Sequence, residues 1–141
     1  KTEIHPSTFV EEKIEKSGAQ EKVKMLGSVN DLELSKLYSL ALALVHPSKM
    51  EGFGLTGLEA MGVGLPVISS NQTSLPEVYG DACEYFSPDS VNELVEAIEK
   101  IIKDPDLRKK LSERGLKQAK KYSWSKMTRE TLVVYQKATK K

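Results

Sequence analysis

Cysteine is almost absent from this chain: Cys83 is the sole thiol in 141 residues, so no internal disulfide forms and no thiolate cluster can hold a metal. Arginine is scarce as well, because nearly all the cationic side chains are lysine. Bidentate recognition of phosphates or base edges favours arginine, so nucleic-acid binding is not expected. No apolar run approaches the roughly 18–20 residues that cross a bilayer, which excludes a membrane-spanning helix. The start, KTEIHPSTFVEEK, has neither a Met nor the apolar stretch of a signal peptide. Together these absences favour a reducing, cytoplasmic setting.

What is present is an ordinary globular composition, 39% hydrophobic and 29% charged, and the length suits a single domain over 1–141. The overall net charge of +1 hides an uneven distribution, with cationic side chains concentrated from Lys100 onward and an acidic excess before it. The simplest reading of the basic region is a solvated, lysine-rich helical surface. An attraction to anionic lipid, with a lipid acceptor at the inner face of the membrane, is the sharper alternative.

Strand-like and helix-like segments alternate, which points to an α/β fold, a Rossmann-like three-layer α/β/α arrangement around a parallel sheet. Thr8-Phe9-Val10-Glu11 has the form of a capping box opening a helix that Gly18 closes. Val23–Leu26 reads as a short strand ending at Gly27, and Leu34, Leu37, Tyr38 and Ala41 recur at helical spacing. Leu42–Val45 is a continuous apolar run, expected as a strand buried on both faces and ended by Pro47. A helix over Leu55–Val63 precedes strands at Pro66–Ser69 and Cys83–Phe86. Ser90-Val91-Asn92-Glu93 is another capping box, followed by an apolar stripe of Val91, Leu94, Val95, Ile98 and Ile102. Asp104-Pro105 starts the next helix, and Ser123 caps a last one carrying Trp124, Met127, Thr131, Val134 and Tyr135, with Trp124 expected in a helix interface. Four strands are fewer than a doubly wound sheet holds, and the chain opens directly on a helix. It therefore reads as an N-terminally incomplete domain, with an uncovered sheet edge that would favour self-association.

The chemistry is concentrated in HPSKMEGFGLTGLEAMGVGLPVISS, from His46 to Ser70. A glycine-bearing loop here leads from the end of a strand into a helix, the position at which open parallel sheets bind ligands. Gly52 and Gly54 allow a tight turn and close approach. The amides of Phe53, Gly54, Leu55 and Thr56 lie at a helix N-terminus, where free N–H groups and the helix dipole suit a diphosphate. Glu51 and Glu59 bracket the loop; carboxylates beside an anion site need donor partners such as sugar hydroxyls. Taken alone, Gly-x-Gly is an ordinary turn and the two glutamates ordinary surface residues. His46 reads as a packed or hydrogen-bonded strand-end histidine, His5 as an exposed loop residue without a role, and Cys83 as a small buried residue.

Glu51-Gly-Phe-Gly-Leu-Thr-Gly-Leu-Glu59-Ala-Met resembles the E-x7-E motif of family 4 retaining glycosyltransferases, which have the GT-B fold. Val45-His46-Pro47-Ser48, Gly64–Ile68, Asn71–Val78 and Ser123-Trp124 resemble segments on either side of that motif, so the likeness covers nearly the whole chain. The resemblance implies the C-terminal, donor-binding domain of an enzyme that transfers a sugar from a UDP- or GDP-sugar to an acceptor hydroxyl with retention of configuration. It assigns Glu51 to hydroxyls of the donor sugar as the catalytic contact. Glu59 falls to the ribose hydroxyls, the Gly52–Thr56 loop to the diphosphate, and Gly27, Ser28 and Val29 to the border of the nucleobase. It implies no cofactor and no metal. The acceptor-binding domain that precedes this one in the family is the implied partner, together with the nucleotide-sugar. Without that domain and its diphosphate-neutralising Arg and Lys, the chain alone is expected to bind donor and not to turn over. Thr56 stands where Pro is frequent in the family and Gly62 where Ala is common. The competing class is a non-catalytic α/β module that binds a nucleotide or a protein.

Overall fold

The computed structural model describes residues 6–139, so His5 lies outside the described residues. The chain divides into two compact units between Leu34 and Ser35.

In the first unit, helix α1 spans Pro6–Ser17. Thr8 therefore lies inside α1 instead of capping it, a correction to the expected capping box. Gly18 does end the helix: it takes the left-handed φ of +68°, and its N–H donates to the Glu15 carbonyl at 3.1 Å. A 3₁₀ turn follows at Gln20–Lys22. Val23–Leu26 is not a strand. Val23 is extended, but the segment forms no ladder with any described residue, and Val23, Met25 and Leu26 are exposed. An apolar run without a neighbouring strand has no donors or acceptors to pair with, so it stays irregular. Helix α2, Asp31–Leu40, crosses the unit boundary. It begins with a reciprocal cap: the Asn30 N–H donates to Glu33 Oε2 at 2.9 Å, and the Glu33 N–H to Asn30 Oδ1 at 3.0 Å.

The second unit holds strands β1 (Leu44–His46), β2 (Val67–Ser70) and β3 (Cys83–Phe86), all parallel and in that spatial order. Leu44 is in register with Val67, and Val67 with Cys83. Three strands, not four, are therefore present among the described residues. Helices α3 (Leu55–Gly62), α4 (Leu75–Tyr79), α5 (Val91–Lys103), α6 (Pro105–Ala119) and α7 (Trp124–Ala138) complete it. Side-chain alternation along β2 divides the core. Val67 joins Leu58, Met61, Leu65, Leu75, Val78 and Tyr79 in one cluster, whereas Ile68 joins Phe86, Ala97, Ile101 and Leu111 in the other. Each fully buried side chain of this size contributes about 1.5–3 kcal/mol.

Only β2 is buried along its whole length; β1 is half-buried, with Val45 exposed. The expected two-faced burial of Leu42–Val45 thus belongs to the central strand, and the terminal position of β1 explains the difference. The expected caps form at Ser90, Asp104 and Ser123, which accept from the N–H groups of Glu93, Leu107 and Lys126 at 3.2, 2.8 and 3.1 Å. The returning half of the capping box expected at Ser90 does not form: the Glu93 carboxylate accepts from the Ser87 N–H at 2.8 Å instead. The inward face of α5 is Leu94, Ala97, Ile98 and Ile101; Val91, Val95 and Ile102 of the expected stripe are exposed. Trp124 is exposed too, not packed in an interface among the described residues.

Candidate functional site

The loop that follows β1 is pinned to the loop that follows β2. The Ser70 hydroxyl donates to the Ser48 carbonyl. The Glu51 N–H donates to Thr73 Oγ1, and the Ser74 hydroxyl donates to the Glu51 carbonyl, both at 3.1 Å. Thr73 accepts a left-handed φ of +51° to make this contact. Glu51 is thereby fixed through its backbone from both sides.

Its carboxylate is fixed as well. Glu51 Oε1 lies 3.1 Å from His46 Nε2, and His46 Nδ1 lies 3.1 Å from the Tyr79 hydroxyl. That hydroxyl donates to the Gly54 carbonyl at 2.7 Å. Tyr79 is wholly buried, and burial above all pushes its phenol up to about 12, with the Gly57 backbone opposing and the Cys83, Glu51 and Tyr38 charges adding. It is a neutral donor at physiological pH. The sequence reading of His46 as a hydrogen-bonded strand-end residue holds. Tyr79 was not foreseen, because its partners lie far away in sequence and nothing in the local pattern of α4 marks its hydroxyl.

Gly54 has φ +91° and caps α3 without a side chain, so the first-turn amides, including Leu55 and Thr56, have no intrahelical acceptor. They point toward whatever lies before the helix, with the positive end of the dipole behind them. Gly52 is open: a Cβ there would meet nothing within 4 Å. Gly54 and Gly57 are not, because a Cβ would come within 2.6 and 2.3 Å of the Tyr79 hydroxyl. Phe53 is held edge-on by Tyr122, ring centroids 5.5 Å apart. Glu59 is exposed on α3, and its charge adds to burial in raising the Tyr38 phenol. The structure therefore assembles Glu51, Gly52, Phe53, Gly54, Leu55, Thr56 and Glu59 on one loop and the helix it enters. Gly27, Ser28 and Val29 belong to the first unit, in irregular backbone where Gly27 has φ +66°. Cys83 is buried as expected, and desolvation, opposed by Tyr85 and helped by Glu84, pushes its thiol up to about 12.

The family described as "Glycosyl transferases group 1" matches residues 7–118. The chain belongs to the group 1 glycosyl transferases. O-antigen chain mannosyltransferase B of Escherichia coli is 42% identical over 122 residues, 86% of this chain and 32% of that protein. Among solved structures, the sucrose-phosphate synthase of Thermosynechococcus elongatus superposes with a TM-score of 0.84 at 26% identity, covering 92% of this chain and 33% of that one. The C-terminal domain of a glycosyl transferase group 1 family protein from Francisella tularensis gives a TM-score of 0.70 at 25% identity, covering 82% and 60%. The parallel α/β unit is thus a GT-B glycosyltransferase C-terminal domain, and the chain spans about a third of the length of the first two of these relatives.

Proposed function

We propose that this chain is the donor-binding half of a retaining glycosyltransferase, one that transfers a sugar, mannose in the first instance, from a UDP- or GDP-sugar to an acceptor hydroxyl. The carrying observation is the side-chain-free N-terminus of α3 at Gly54, bracketed by Glu51 and Glu59. Phe53–Thr56 amides hold the diphosphate and offset the charge that develops as the anomeric C–O bond breaks, so no metal is required for that task. Glu51, already oriented by His46, takes hydroxyls of the sugar. Glu59 takes the ribose, its exposure leaving both oxygens available. Mannose is favoured because the Escherichia coli relative is named a mannosyltransferase. An acceptor-binding domain completes the reaction centre.

Calorimetric titration of the full-length protein with UDP, GDP and ADP tests the reading. One nucleotide should bind, and Glu59→Ala should weaken it by about 10-fold or more, the loss of hydrogen bonds to a charged group. Equal affinity in the variant, or binding of none of the three, overturns the site. Chelation with EDTA should leave binding unchanged.

A further inference from the structure

Glu51 does not stand alone at the mouth of the loop. A carboxylate only accepts hydrogen bonds, so the His46 nitrogen that faces it at 3.1 Å, Nε2, donates to it. The other ring nitrogen faces the Tyr79 hydroxyl at 3.1 Å, and that hydroxyl reaches the Gly54 carbonyl at 2.7 Å. With its one proton donated to the Gly54 carbonyl, the Tyr79 oxygen is left as the acceptor that faces His46 Nδ1, so the phenol stands between the ring leading to Glu51 and the backbone that caps α3. His46 is shielded, its side chain 13% exposed, and Tyr79 is fully buried. A Cβ at Gly54 or Gly57 would collide with Tyr79, so the loop is built around this phenol and not merely near it.

We propose that His46 and Tyr79 are positioning residues that lock the Glu51 carboxylate to the Gly54 carbonyl, so that the sugar-contacting group and the diphosphate-binding loop keep one fixed relative geometry. This rests on the reading of Glu51 as the donor-sugar contact. Neither residue touches the donor: His46 lies behind Glu51, and Tyr79 lies beneath Gly54 and Gly57. Their effect is on orientation, where small misplacements of a reacting group are expensive in rate. The chain of bonds joins three segments distant in sequence, the ends of β1 and α4 and the N-terminus of α3.

The test uses the full-length protein and donor hydrolysis as the probe, with UDP-, GDP- and ADP-mannose each supplied. In that reaction the water oxygen replaces the phosphate oxygen at the anomeric carbon, and a proton is released with the nucleoside diphosphate. Tyr79→Phe and His46→Phe should lower kcat by on the order of 10- to 100-fold, with KM and nucleoside diphosphate affinity changed by less than about 3-fold. His46→Gln, which keeps a donor toward Glu51, should recover part of the loss. In the Glu51→Gln background, His46→Phe should cost almost nothing more, since the two act as one unit. If Glu51→Gln lowers kcat while His46→Phe and Tyr79→Phe do not, or if the losses multiply in the double variant, the positioning role is overturned and the site reading stands. Equal losses in His46→Gln and His46→Phe also overturn it. If Glu51→Gln leaves hydrolysis unchanged, or the wild-type protein hydrolyses none of the three, the reading of the site falls and takes the positioning role with it.

Discussion

Helices α3 and α7 both carry large apolar side chains, and they meet opposite fates. Among its eight residues α3 buries Gly57, Leu58, Ala60 and Met61; α7 buries none of fifteen, leaving Trp124 at 70% and Tyr135 at 65% exposure. What separates them is the availability of a complementary surface. Helix α3 lies against β2 and α6, where Gly115 lets the helices approach until a Cβ there would sit 3.1 Å from Met61. It also stands over Tyr79, with glycine at each position where the phenol comes close. Rigid packing of this kind sets the direction of the first-turn amides, which is what the site requires. Helix α7 meets no such surface among the described residues, so its apolar side chains stay exposed.

A matched pair of methionines breaks the comparison most sharply. Met61 is fully buried and Met127 is half exposed. Met61→Ala should destabilise the chain by about 2–5 kcal/mol, through lost burial and a residual cavity. Urea denaturation followed by circular dichroism measures this; a loss under about 1 kcal/mol would mean that the α3–α6 contact is loosely packed. A glycine of α3 comes next. Gly57→Ala drives a Cβ to within 2.3 Å of the Tyr79 ring and should cost about 1–3 kcal/mol by overpacking. Nucleotide affinity should fall with it, because the helix N-terminus must shift.

Much of this region was legible in the sequence, for reasons particular to each residue. Ser90, Asp104 and Ser123 announce their helices because a cap is a contact within four residues. The loop from Glu51 to Thr56 was readable because glycine and a following helix are also local signals. Tyr79 was not readable: its bond to His46 spans 33 positions and its bond to Gly54 spans 25. Val23–Leu26 misled because apolar character marks a segment able to pair and says nothing of whether a neighbour is there. Trp124 misled in the same way. The amphipathic pattern of α7 describes a face, and a partner is a separate fact.

Alkaline pH probes the buried side of the comparison without mutation. Burial raises the Cys83 thiol and the Tyr79 phenol, each to about 12, from ordinary values of 9.0 and 10.0, and raises Tyr85 as well. In each case the folded state holds its proton more tightly, so the stabilisation is complete below the ordinary value and is lost as pH rises toward the folded one. Stability should therefore decline from about pH 9 to about pH 12, and Cys83→Ser should shift the onset upward. Unchanged stability across that window would show that these groups are more solvated than the packing indicates.

The smaller effects lie on open surface. Gly62→Ala, on the same helix as Gly57 but with nothing within 4 Å of its Cβ, should stabilise by up to about 1 kcal/mol through helix propensity. On α7, Met127→Ala and Trp124→Ala should each change the stability of the chain by no more than about 0.5 kcal/mol, as exposed positions do. The same two substitutions made in the full-length protein give the comparison its last edge. If the further part of that protein covers α7, the cost should rise to about 2–5 kcal/mol there, while the cost of Met61→Ala stays unchanged. Equal small costs in both settings would mean that α7 remains a solvent-facing helix and that its tryptophan serves no packing role.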